Sequence, residues 1–323
     1  MMYRTILFFF LFYILLSIFY IPQANASEIS LGIYPPLIQL ESTSSSTIDS
    51  PITLSNLTDA TLNLSVQLKP FTSSEKENGE IKYLPDARIK STPYPHIFDK
   101  VQIRDNDTAV KTLTLGPRQS KNLTLHLDLD SNEQSIDYYF SIVFLSTPIE
   151  ATPQEQNAIT AHTSITAGIA TNVLLSVNPQ GDTNGSIEEF SSPSFVDHGP
   201  ISFKVHLKNL SMHKIAPTGT ISITNVFNQI IGKIDLLQSP ILSQSSRFLT
   251  SQHSFSPPVA LWPETFLLGP YDATLTVKLS SNGPVLSQTI RFFAFPLRLF
   301  LLLLVTTTII VVIIKRVRKR RNT

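Results

Sequence analysis

Leucine and valine occupy every second position of TLNLSVQL, residues 61–68. This alternation constrains the fold more than any other feature of the chain. Side chains of an extended strand point to opposite faces in turn, so Leu62, Leu64, Val66 and Leu68 share a dry face while Asn63, Ser65 and Gln67 face water. The pattern returns at Leu123, Leu125, Leu127 and Leu129, at Ile201, Phe203, Val205 and Leu207, and at Ala273, Leu275, Val277 and Leu279. YYFSIVFL and AGIATNVLLSV are more uniformly apolar and read as central strands. Between the runs stand turn signals such as LGPRQS, NPQGDTNG, FVDHGP and SSNGPV, and no internal segment has a helical period. The expected fold class is all-β: two tandem immunoglobulin-like sandwiches of about seven strands each.

The two ends of the chain are different. Residues 292–314 carry one charge, Arg298, and are followed by Lys315, Arg316, Arg318, Lys319, Arg320 and Arg321. An apolar segment of this length crosses a hydrocarbon core, and cations flanking a span stay on the cytoplasmic side. The basic run begins where the apolar segment stops, which favours a membrane-flanking anchor over nucleic-acid binding. At the other end, MMYR, an apolar stretch from Ile6 to Tyr20 and Ala24-Asn25-Ala26 have the order of a signal peptide. The expected organisation is a signal peptide at 1–26, an outer sandwich at 27–180 and a membrane-proximal sandwich at 181–291. A transmembrane helix at 292–314 and a cytoplasmic tail at 315–323 complete it. The expected localisation is a cell membrane, crossed once, with the sandwiches outside.

Charge and composition narrow the chemistry. The 323 residues hold 25 Lys and Arg against 24 Asp and Glu. Eight of the cations lie at the apolar ends and in the tail, so the intervening part has 17 against 24, a net of about −7. That balance disfavours nucleic acid as a partner. The chain has no cysteine, which excludes thiol catalysis and points to a bacterial or archaeal surface rather than a disulfide-stapled animal ectodomain. No nucleophile elbow, zinc-protease motif or phosphate-cradling loop occurs, so neither catalytic nor cofactor-binding residues are expected. DLDSNEQSIDYY places Asp128, Asp130 and Asn132 like calcium ligands, but Glu133 and Tyr139 stand where such a loop needs Gly and Glu. The histidines, including His126, His206 and His213, read as surface residues. Trp262 reads as a loop anchor, with an exposed sugar-stacking platform as the alternative. Sequons begin at Asn56, Asn63, Asn106, Asn122, Asn184 and Asn209. The long connection at 146–164 is the candidate binding loop, through Glu150, Thr152, Pro153 and Glu155.

Four segments carry a family likeness: ITLSNLTDATLNLSVQL, ENGEIKYLP and TLGPRQSKNLTLHLDL in the first domain, and VHLKNLSMHKIAPTGTISITNVFNQIIGKIDL in the second. Through them the chain resembles, in outline, the WxL-interacting surface proteins of Gram-positive bacteria. A looser resemblance, to the two-domain pilus chaperones, shares the pair of sandwiches but not the span. The first resemblance implies a non-enzymatic protein, with peptidoglycan binding assigned to the first domain and partner or host-matrix binding to the second. The expected function is a membrane-anchored surface binding protein that contacts a cell-wall polymer or another surface protein. The alternative is a glycan hydrolase with carboxylates assembled across the domain interface.

Overall fold

The computed structural model describes residues 30–85, 92–146, 167–179, 183–251 and 257–321. The first sandwich contains β1 (Leu31–Tyr34), β2 (Leu37–Ser42), β3 (Thr47–Asn56), β4 (Leu62–Ser73), β5 (Ile81–Tyr83), β6 (Val101–Asp105), β7 (Thr108–Ala109), β8 (Thr112–Leu115), β9 (Ser120–Asp128), β10 (Asp137–Ser146) and β11 (Gly168–Val177), with a single-turn α1 (Tyr94–Phe98). The second contains β12 (Gly185–Ser191), β13 (Phe195–Val196), β14 (Ile201–Asn209), β15 (Thr218–Thr224), β16 (Ile230–Asp235), β17 (Ser246–Leu249), β18 (Ala260–Trp262), β19 (Gly269–Lys278) and β20 (Val285–Ala294). Helix α2 (Leu297–Arg321) follows. Short edge strands such as β5, β7 and β13 raise the strand number above the expected seven per sandwich.

In the first sandwich a sheet ordered β1-β3-β9-β6-β7 faces one ordered β2-β11-β10-β4-β5, with β8 beside β4. In the second, β12-β14-β17, with β18 beside β14, faces β13-β20-β19-β15-β16. Both sandwiches begin with a strand that changes sheets. After β1, Pro35 and Pro36 interrupt the ladder, because proline has no N–H to donate, and β2 then pairs in parallel with β11. Likewise β12 pairs with β14 before β13 crosses to run parallel to β20.

Alternation places the cores as expected. Leu62 and Leu64, Leu123, Leu125, Leu127 and Leu129 enter the first core. Ile201, Phe203, Val205 and Leu207, with Ala273, Leu275, Val277 and Leu279, enter the second. Each such leucine, isoleucine, valine or phenylalanine stabilises by about 1.5–3 kcal/mol on leaving water. Trp262 is buried at 5% exposure, edge-on to Tyr271 and Phe292. It is therefore an anchor, and the platform alternative falls.

Each sandwich also buries one asparagine at the end of an inner strand. Asn56 Nδ2 donates to the carbonyls of Ala60, Leu115 and Gly116, and its Oδ1 accepts from the Thr58 amide and hydroxyl. Asn209 Nδ2 donates to His213, Ile241 and Leu242, and its Oδ1 accepts from the Ser211 amide. Both begin Asn-Leu-Ser/Thr, and both are at or below 1% exposure. These two sequons are structural pegs, inaccessible to a glycan in the folded chain.

The helix boundary differs from the sequence reading. Phe292 and Ala294 are fully buried in the second core, so residues 292–294 finish β20 and the helix begins at Leu297. The backbone has to leave the sheet before it can coil, and apolarity alone cannot separate a buried strand end from a span. The stretch Leu297–Arg316, 20 residues with none of it buried, is long and apolar enough to cross a membrane. Thr306, Thr307 and Thr308 return their hydroxyls to carbonyls one turn back. Residues 1–26 lie outside the described residues.

Candidate functional site between the two sandwiches

The outer face of the β4–β10–β11 sheet is not wet. Phe71, Tyr139 and Leu174 form a small apolar cluster there, and Leu242 of the second sandwich packs on it. This explains why β10 and β11 read as uniformly apolar: one face serves the core and part of the other serves a domain interface.

Two sets of polar contacts hold the interface. On one side Asp137, whose side chain is 1% exposed, accepts from His213 Nδ1 at 2.7 Å and from the Lys214 amide at 2.5 Å. The Tyr139 hydroxyl donates to Asp137 and accepts from the Ser243 amide at 3.0 Å. Burial, then the charge of Asp137, pushes the Tyr139 pKa up, which keeps that proton in place. Lys214 Nζ reaches Glu41 at 3.0 Å. On the other side the β4–β5 hairpin leans across, and the Phe248 amide donates to the Glu77 carbonyl at 2.8 Å. His206 stacks on Phe248 with ring centres 4.3 Å apart. Its ring nitrogens lie 2.8 Å from Glu77 and 3.3 Å from Glu188. The Glu77 approach is a close contact rather than an aligned hydrogen bond.

Between these contacts lies a cleft of about 330 Å³, lined by Leu37, Phe71 and Ile81 from the first sandwich and by Pro240, Leu242 and Arg247 from the second, among others. Arg247 is its distinctive residue. Nη1 donates to the Pro240 carbonyl at 2.8 Å, while Nε is shut from solvent without an acceptor. Burial alone pushes the guanidinium pKa down, and no carboxylate contributes. Buried charges are ordinarily paired because desolvation is expensive. Gly79, at φ +95°, permits the close approach: a Cβ there would lie 2.2 Å from Nη2 of Arg247. The single carboxylate in the lining, Glu80, is held by Lys76 at 2.8 Å and by Asn78. Among the described residues the cleft thus has no pair of facing acids of the kind a glycan hydrolase needs.

Arg247 did not stand out in the sequence, where no motif surrounds it. His206 and His213 are interface residues, not the surface histidines expected, because the domain contact covers the polar strand face on which alternation places His206 and the turn that carries His213. His96, Asp130 and Glu133 bring ligand atoms within 4.8 Å of one another. Lys100 Nζ, in contact with Asp130 and 2.9 Å from Glu133, already supplies the cation. The expected loop residues Glu150, Thr152, Pro153 and Glu155 lie outside the described residues. Arg298, at the start of α2, pairs with Asp197 at 3.2 Å. Lys315, Arg316 and Arg318 are exposed on the same helix, which also contains Lys319, Arg320 and Arg321.

No family model matches the chain, and no curated protein matches it. Solved structures with a similar arrangement include the class 5 fimbriae chaperone CfaA (12% identity over 80% of this chain and 98% of that one, TM-score 0.39). Others are the SafB chaperone with SafA pilin from Salmonella enterica (8%, 81% and 97%, TM-score 0.37) and the E. coli chaperone DraB (8%, 81% and 98%, TM-score 0.36). At these values the likeness bears on neither ligand nor partner. The outline resemblance to the WxL-interacting proteins rests on its sequence motifs alone.

Proposed function

We propose that the chain is a non-enzymatic surface binding protein, tethered by α2 with its sandwiches outside the cell and its basic tail in the cytoplasm. Its ligand, part of a cell-wall polymer or of another surface protein, seats in the interdomain cleft and presents a carboxylate to Arg247. The observation that carries this reading is the half-buried Arg247, whose Nε is shut from solvent without an acceptor and which has no carboxylate partner among the described residues, in a cleft lined by both apolar and polar side chains. A carboxylate entering the cleft would give the guanidinium a charge-assisted partner, and bonds of this kind are the strong ones. The apolar walls would hold whatever precedes the carboxylate.

The test is capture by the detergent-solubilised full chain, compared with Arg247→Met. The probes are cell-wall sacculi, a surface-protein extract, and short peptides with a free or an amidated C-terminus. Wild type should retain one of the first two and should prefer free carboxylates over amides, and Arg247→Met should lose both properties. Equal capture by the two proteins would remove the cleft from function. Protease protection on wall-stripped cells checks the orientation: the sandwiches should be digested and the tail spared.

A further inference from the structure

We propose that the helix-proximal end of the second sandwich is itself a lipid-binding surface, which seats the domain in the headgroup region of the bilayer that α2 enters. The proposal rests on reading α2 as a membrane span, and holds for either orientation.

Strand register fixes where this end lies. β20 runs toward the helix and ends at Ala294, paired with Gly269, while Phe293 pairs with Pro270 and, on its other side, with Phe195. Arg291 pairs with Asp272, and Asp272 pairs with Thr224, the last residue of β15. The β15–β16 turn, residues 225–229, therefore projects to the height of Ala294, beside the start of the helix. The segment before β19 reaches the same height at Phe266 and Leu268.

The side chains there are out of character for a wet surface. Phe195, Val226, Phe227, Phe266, Leu268 and Phe293 are between 43% and 78% exposed. They come from four separate segments, so no single strand pattern explains them. The hairpin tip is the clearest case. Turn positions favour Gly, Asn, Asp, Ser and Pro, yet Val226 and Phe227 occupy this tip. Its conformation is fixed independently of them, because Asn225 Oδ1 accepts from the amides of Phe227 and Gln229 and the Asn228 amide donates to the Asn225 carbonyl. The turn holds Phe227, at 78% exposure, out into its surroundings.

Continuity with α2 identifies the occupant. Two residues, Phe295 and Pro296, separate β20 from the helix. The Phe295 amide donates to the Val196 carbonyl, and Asp197 accepts from the Arg298 amide at 3.1 Å while pairing with its guanidinium. The helix is thus tied to the end of the sheet, with no spacer to lift the apolar ring clear of lipid. Apolar side chains at such a boundary bury themselves roughly 5–10 Å into the headgroup and acyl region. The charged residues at this end suit the same depth: Asp272 and Arg291 are bidentately paired, Asp197 holds Arg298, and His198 and Glu264 are exposed to the polar layer.

The chain has no cysteine, so single thiols can carry an environment-sensitive fluorophore. Full-length Phe227→Cys, Val285→Cys and Leu302→Cys are labelled and reconstituted into phosphatidylcholine vesicles containing nitroxide lipids, with the nitroxide at the headgroup or deep in the acyl chain. Val285 is similarly exposed but begins β20, roughly 30 Å from Ala294 by strand rise. The label at 227 should be blue-shifted and lose emission to the shallow nitroxide, the label at 302 should lose it to the deep one, and that at 285 to neither. If 302 is quenched and 227 behaves like 285, the lipid surface is refuted and the span stands. If 302 is not quenched, both readings fall. A label at 227 that is blue-shifted but insensitive to both nitroxides would mean that protein, such as a second copy of the chain, covers this end, and would also overturn the proposal.

Discussion

The two sandwiches use the same construction and finish their surfaces differently. Each opens with a strand that changes sheets, and each pins an inner strand end with a buried asparagine. Outside α2, and among the described residues, the first sandwich exposes three large apolar side chains, Tyr34, Leu57 and Tyr83. The second exposes eleven, six of them at the end next to the helix. A shared scaffold with unequal surfaces shows that the fold does not require this apolarity. On the proposed lipid surface, what differs is that the second sandwich meets an apolar neighbour at its helix end.

The largest effect expected on this comparison comes from the asparagines. Asn209→Ala leaves three carbonyls and an amide without their partner, a loss of about 3 kcal/mol. Because Asn209 holds Ile241 and Leu242, which line the cleft, it should weaken ligand capture as well. Asn56→Ala should cost a similar amount but act in the first sandwich alone. Trp262, the lone tryptophan, reports on the second sandwich. Its denaturant-induced fluorescence transition should shift strongly for Asn209→Ala and little for Asn56→Ala. Equal shifts would mean that the two domains unfold as one unit.

Gly232→Ala comes next. A Cβ at Gly232 would lie 2.6 Å from Nε1 of Trp262, an overpacking that should cost about 2 kcal/mol and perturb the Trp262 emission. An unchanged spectrum and midpoint would show that β16, an edge strand, moves aside freely. Gly79→Ala should cost about 1–2 kcal/mol through its left-handed backbone and push against Arg247. Free-carboxylate peptides should then bind more weakly with little change in the Trp262 midpoint, and unimpaired binding would remove the hairpin from the cleft. The smallest effect is Phe227→Ser, within about 0.5 kcal/mol of wild type by denaturation, as for other exposed positions. A clear loss of stability would show Phe227 to be packed and would undermine the contrast between the two surfaces.

Period-two alternation made the cores legible, since a residue such as Leu125 or Phe203 has one possible side once its strand is drawn. The cleft was not legible. Its contacts join Tyr139 to Ser243 and Glu77 to His206, residues far apart in sequence, and alternation cannot say which polar face a second domain will cover. The extra apolarity of YYFSIVFL held a hint of that cover, which read simply as a central strand. The helix start was misplaced because Phe292 is as apolar as Leu299, although one fills a core and the other is exposed on α2. The apolar tip VF in TNVFNQ was visible as letters, but its height beside the helix exists only once the strands are paired.

The two-residue join between β20 and α2 also sets an altitude. With α2 in a bilayer, the cleft stands about one strand length above it, roughly 30 Å by the rise of β20, and the Asp197 clamp leaves it little room to swing. On the proposed reading, the cleft samples a thin shell next to the membrane that α2 enters, and a ligand has to come within that shell to be bound.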